Sequence, residues 1–185
     1  MKKWFCIILM CMLSLCLTAC KNTSNTALQT HFLLILENKQ AFYSADEEKD
    51  ITLSDYNKNV WQYACVDMNN DNRDELAIMF EDGNILILKN NGTSTTGFQF
   101  GLHSMYQINK DGSFLWNDNA GNTYGCSTLK FKENQYETVE LWRVENNGAG
   151  LTAYYINNKL VPKSDFNALS EKRNEKGIEW TLWQP

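Results

Sequence analysis

Histidine is almost missing from this chain. His31 and His103 are the only two, they lie far apart, and neither has a Cys, Glu or second His at metal-ligand spacing, so no zinc centre is written here and both read as structural. A G-x-S-x-G elbow is absent, and with it the exposed nucleophile such a turn presents. Asn147-Gly148-Ala149-Gly150 lacks the Lys and Ser or Thr that complete a phosphate loop, and reads as a hairpin turn. Positive charge is scarce: 17 Lys and Arg stand against 22 Asp and Glu, for a net charge of −5. Nucleic acid, whose phosphates call for a basic face, is excluded as a partner on that ground. The longest apolar run, Trp4 to Leu17, falls short of the roughly 20 residues a membrane-spanning helix needs.

What that run does form is an export signal. Lys2 and Lys3 make a basic start, the apolar run follows, and Leu17-Thr18-Ala19-Cys20 closes it. The ending resembles the lipobox of bacterial lipoproteins. The resemblance implies cleavage after a signal peptide of residues 1–19 and a diacylglyceryl group on Cys20, holding the protein on the extracytoplasmic face of the cell membrane. Two acyl chains, at about 0.8 kcal/mol per buried methylene, anchor stably where one would not. Loss of Lys2 and Lys3 leaves a more acidic mature part, large enough for one core and too small for two. Of six cysteines, Cys6, Cys11 and Cys16 leave with the signal and Cys20 carries lipid. Cys65 and Cys126 remain, in apolar strand-like runs, as a disulfide or as two small hydrophobes.

Residues 20–30 are rich in Asn, Thr and Ser, the composition of a flexible stem, and residues 31–185 read as a single domain. Apolar positions between Leu28 and Tyr43 fall on one helical face. Asp46 to Asp50 is acidic, and Thr52 to Tyr56 looks like a loop or a helical turn. From Trp61 the pattern turns to short β-prone runs: Trp61 to Val66, Leu76 to Phe80, Ile85 to Leu88, Phe98 to Phe100, Met105 to Ile108, Phe114 to Trp116, Ser127 to Lys132, Thr138 to Val144 and Thr152 to Ile156. Glu81-Asp82-Gly83-Asn84, Asn90-Asn91-Gly92, Lys110-Asp111-Gly112-Ser113 and Asn157-Asn158 supply tight turns between them. After Pro162, Ser164 is a good N-cap for a second helix, and Ile178 to Trp183 suggests a last strand. The expected fold is α+β: a curved antiparallel meander of hairpins flanked by an N-terminal and a C-terminal helix.

One segment carries chemistry. Asp67-Met68-Asn69-Asn70-Asp71-Asn72-Arg73-Asp74-Glu75-Leu76 sets oxygen side chains at loop positions one, three, five and nine. Ca²⁺ takes six to eight oxygens at about 2.3 to 2.6 Å, which Asp67, Asn69, Asp71, the Arg73 carbonyl and Glu75 are spaced to provide, with Asp74 pointing to solvent. An Asn- and Asp-rich hairpin turn is the plainer alternative. The loop resembles the calcium loops of integrin-type FG-GAP repeats and, over its first seven positions, those of EF-hands and dockerins. It departs from the latter at position twelve, where Ile78 cannot coordinate, and from both groups at position six, where Asn72 replaces glycine. With its lipobox, its loop and the segment Tyr155-Ile156-Asn157-Asn158-Lys159 leading to Ser164-Asp165-Phe166, the chain also resembles small uncharacterised lipoproteins of Gram-positive, clostridial-type bacteria. That resemblance implies a surface location and calcium, and no activity.

Trp61, Trp116, Trp142, Trp180 and Trp183 exceed what so small a core needs; exposed rings among them would stack on sugars or anchor a protein. The reading is therefore a calcium-stapled surface module that binds a glycan or a protein, with an envelope hydrolase built on strand-borne carboxylates as the competing class. Replacing Cys20 by Ala tests the anchor. The variant is expected to lose its lipid and leave the membrane fraction in detergent-free fractionation, and a lipidated, membrane-bound Cys20→Ala protein would refute the assignment.

Overall fold

The computed structural model describes residues 23–118, 120–146, 148–173 and 176–184. The lipobox and Cys20 lie outside the described residues. No described helix is long and apolar enough to cross a membrane. The chain divides into two compact units, residues 1–40 and residues 41–185. In the first, α1 spans Thr23–Leu36, beginning inside the expected stem and stopping earlier than the periodicity predicts. Asn38 explains the stop: it sits at φ 59° and donates its N–H to the Ile35 carbonyl at 2.9 Å, the left-handed cap that asparagine tolerates. His31 accepts a hydrogen bond from Gln40 Nε2 at 3.0 Å.

The second unit is built of strands. One sheet contains β1 (Phe42–Ser44), β2 (Lys49–Ile51), β3 (Val60–Val66), β4 (Glu75–Phe80), β5 (Ile85–Asn90), β6 (Thr95–Phe100) and the late strand β13 (Thr181–Leu182), in the order β13-β3-β4-β5-β6-β1-β2. The other contains β7 (Gln107–Ile108), β8 (Phe114–Asn117), β9 (Thr123–Lys132), β10 (Gln135–Asn146), β11 (Thr152–Ile156) and β12 (Lys159–Val161), in reverse sequence order. Helix α2 (Lys163–Arg173) follows β12 and sets Phe166 edge-on to Trp142, with ring centroids 5.4 Å apart.

The expected single meander flanked by two helices is therefore wrong. Strands dominate, they form two sheets, and the helices are two short elements among thirteen strands in the described residues. The physical reason lies in β4 and β5, where Leu76, Ala77 and Ile78, and then Ile85 to Leu88, are all buried. Strands apolar on both faces need a layer on each, and hairpins laid out in series cannot supply it. The chain changes sheet between β6 and β7. Val66, Met68, Ala77, Ile87, Phe98 and Phe100 then meet Met105, Ile108, Phe114 and Leu129 in one core.

A return of the C-terminal segment completes both sheets. Asn109 bridges to Gly177, Lys110 N–H donates to the Lys176 carbonyl, and Ile178 N–H donates to the Ile108 carbonyl, all beside β7. A few residues on, β13 pairs with β3 in the other sheet, while Ile178 and Trp180 pack against the core. The last strand expected over Ile178 to Trp183 is present as β13; that its segment joins both sheets was not foreseen, and neither was the β1–β2 hairpin, whose β1 lies parallel to β6. Cys65 is exposed and Cys126 is buried, and no disulfide joins the two.

Gly97 in β6 is covered by the Phe42 ring. A Cβ there would lie 2.6 Å from Phe42 Cε2 and 3.0 Å from Leu88 Cδ2. Gly97→Ala is expected to cost about 1 to 3 kcal/mol through overpacking, read as a lower urea midpoint at unchanged slope; an unaltered midpoint would show that β1 does not press on β6.

Candidate functional site

The acidic loop joins β3 to β4 and folds around its own first side chain. Asp67 Oδ1 accepts the N–H groups of Asn69 at 3.3 Å and Asp71 at 3.1 Å, and Oδ2 accepts that of Asn72 at 2.8 Å. Asn69 Oδ1 accepts the Asp71 N–H at 3.1 Å, and Asp71 Oδ1 accepts the Arg73 N–H at 2.9 Å. Asn70 and Asn72 stand at φ 59° and 64°. The left-handed turn that glycine ordinarily supplies at position six is thus made by Asn72. Hydrogen bonds tie Asp67, Asn69 and Asp71 to one another around the loop, and Asp71 and Asp74 are exposed.

Glu75 opens β4 and is turned inward, only 2 % exposed. Its Oε2 accepts the Met68 N–H at 2.8 Å; the other oxygen receives no hydrogen bond among the described residues. Burial, the Met68 bond opposing it, and the nearby Asp71 and Asp67 charges leave its pKa raised to about 7, with Lys89 pulling downward. Met68 itself is fully buried in the core between the sheets. On the facing side the turn after β7 presses on the loop: Gly112, at φ 77°, has no room for a Cβ against the Asp67 carbonyl, and Met68 Cα would lie 3.1 Å from it.

Lys89 on β5 is the loop's counter-charge. Its Nζ is 3.7 Å from Asp71 Oδ2 and 4.6 Å from the centre of the Phe131 ring. No cluster of three or more His, Cys, Asp or Glu side chains stands ready-made as a metal centre among the described residues. The loop's oxygens include Asn69 and a backbone carbonyl, donors that such a cluster leaves out and calcium accepts.

A second feature had no signal in the sequence, because its residues come from four distant segments. A cleft of about 470 Å³ opens between the β6–β7 loop and the face of β8, β9 and β10, within the range of small-ligand sites. Phe114, Ser127 and Glu140 lie in register across its floor. Trp116 is held flat over Gly125, where a Cβ would come within 2.6 Å of the indole, and its Nε1 donates to Ser127 Oγ at 2.9 Å. Tyr136 rises at the rim, 40 % exposed, its ring 5.0 Å from that of Phe100 and 5.5 Å from that of Phe98. His103 Nδ1 donates to Asn117 Oδ1 at 2.6 Å, and the Asn117 N–H donates to the His103 carbonyl at 2.9 Å, fixing the loop to β8.

Glu140 is the one carboxylate lining the cleft among the described residues. A bulge after it brings Arg143 Nη1 within 2.8 Å of its Oε1, while Arg143 Nε reaches Glu145 at 2.7 Å. A glycosidase needs two carboxyl groups across the scissile bond, and the cleft presents one, already ion-paired. The remaining tryptophans are dispersed: Trp61 is 49 % exposed on β3, Trp142 packs under α2, and Trp183 stands edge-on to Tyr63.

The buried carboxylate gives the metal-free protein a pH signature. Folding favours the neutral acid of Glu75, whereas the unfolded chain ionises near the ordinary 4.5, so the unfolded state sheds its proton first as pH rises. The stabilisation is complete below about 4.5 and lost by the time pH passes about 7, a decline of about 3 kcal/mol. Urea midpoints in EDTA should fall over that window more steeply in the wild type than in Glu75→Gln; profiles of equal slope would remove the buried acid. No protein-family model matches the chain, and neither a curated protein nor a solved structure matches it.

Proposed function

We infer that this chain is a lipid-anchored protein of the outer face of a bacterial cell membrane, in which the loop from Asp67 to Glu75 holds Ca²⁺ as a structural staple and the strands display a binding surface. The anchor rests on Leu17 to Cys20. The calcium rests on Glu75: a buried carboxylate with one oxygen lacking a hydrogen bond, beside Asp67 and Asp71, is costly unless a cation joins the group. Asp67, Asn69, Asp71, the Arg73 carbonyl and Glu75 are the ligands, and Asn72 in its left-handed turn lets the loop close on them.

The role of such an ion is architectural. It would tie the end of β3 to the start of β4 at the point where Met68 enters the core and Gly112 of the facing sheet rests on the loop. The ligands named all lie at the ends of two paired strands, and none of them lines the cleft. Recognition then falls to another part of the molecule, and an aromatic cleft with a single paired carboxylate suits binding better than hydrolysis.

Extracellular calcium modules bind at about 10⁻⁴ to 10⁻³ M, so millimolar calcium should add about 1 to 2 kcal/mol. The expected outcome is a Tm about 2 to 8 °C higher in calcium than in EDTA, with Asp67→Ala folded in EDTA and indifferent to the ion. Melting curves of the wild type that coincide in calcium and EDTA would overturn the assignment.

A further inference from the structure

The geometry points to the cleft between the β6–β7 loop and β8–β10 as the binding site of an uncharged sugar ring, a ligand class that rests on reading the protein as a surface binding module. A pyranose has two kinds of surface: a C–H face that packs on a flat aromatic ring, and an edge of hydroxyls that each donate and accept. A site for it needs rings held rigid and polar groups held in fixed directions, because weak contacts count only when no entropy is spent ordering them.

Both kinds of group are present and both are immobilised. Trp116 cannot rotate, since its N–H is bound to Ser127 and its ring lies on Gly125. Tyr136 is braced by Phe98 and Phe100 and still offers much of its surface to solvent. In the same cleft, His103 and Asn117 lock one another through Nδ1 and Oδ1, which leaves the His103 Nε2 and the Asn117 amide to meet a ligand. Arg143 takes Oε1 of Glu140 and leaves Oε2 as an acceptor for a hydroxyl pair.

Charge selects among sugars. Glu140 and Arg143 cancel each other, no other Asp, Glu, Lys or Arg lines the cleft among the described residues, and the chain is acidic overall. A uronic, sialic or phosphorylated sugar would bring an anion to a carboxylate with no free cation to receive it. A neutral hexose or N-acetylhexosamine meets no such penalty.

The test uses the full-length lipidated protein in a zwitterionic detergent free of sugar. Calorimetric titration with neutral cello-, malto-, manno- and chito-oligosaccharides is expected to give saturable binding to at least one series, and none to oligogalacturonate or inorganic phosphate. Tyr136→Ala should weaken that binding about tenfold, and His103→Ala, on an exposed loop, should weaken it with melting unchanged. The inference falls if every neutral series fails to bind, if both variants bind like the wild type, or if the anionic oligosaccharide binds more tightly. Calcium-dependent melting is measured on the same samples. A sugar that binds independently of Tyr136 and His103 overturns the cleft and spares the binding-module reading, whereas calcium-insensitive melting counts against the staple and leaves the cleft result standing.

Discussion

The hydrogen bond from the Met68 backbone to the Glu75 carboxylate closes the acidic loop from inside the protein. Much of the architecture is arranged around it. To make the bond, Glu75 must point into the space between the sheets, which carries the loop's negative end out of water. Making it also sets Met68 into the core beside Phe114 and Ile108, which belong to the other sheet. The turn around Gly112 then has to approach the Asp67 backbone so closely that no side chain fits. A polar loop has become a contact between two layers. Desolvating a carboxylate against two more is the cost of that arrangement, and Lys89 is the only cation near Asp71 that offsets it among the described residues.

The cleft and the loop occupy different ends of the same logic. At the loop, a charged group is buried and its neighbours raise its cost. At the cleft, a charged group is paired by Arg143 and left in reach of solvent, Tyr136 packs on Phe98 and Phe100, and Trp116 lies against Gly125 and bonds to Ser127. The long β9–β10 hairpin makes the second arrangement. Its tip reaches the other sheet, where Asn134 Oδ1 accepts a hydrogen bond from Thr96 Oγ1 at 3.0 Å, and its flank carries Tyr136, Thr138 and Glu140 in one line along the cleft.

Local features were legible in the residues and distant ones were not. The turns at Gly83, Gly92, Gly112 and Asn157-Asn158 could be read because positive φ has few hosts. Strands from β3 to β12 could be placed because short apolar, β-prone runs stand between turn residues along that stretch. Asp67, Asn69 and Asp71 share a loop, so spacing alone put them together. The two-sheet architecture escaped because it depends on which strand sits beside which, and the parallel pairing of β1 with β6 leaves no mark on either segment. β1 and β2 are three residues each, too short for a period to register, and Phe42 was absorbed into the preceding helical pattern. The cleft was hidden for the same reason: Tyr136 and His103 are neighbours only after the chain has crossed between sheets.

The strap formed by residues 176–183 imposes an order of events on the growing polypeptide. It supplies the neighbour of β3 and the neighbour of β7 at once, and it follows every strand it completes. A nascent chain that has already produced both layers still carries two raw edges, each able to recruit a foreign strand. Such contacts between remote segments form slowly. Until the strap docks, those two edges stay open to pairing with another chain.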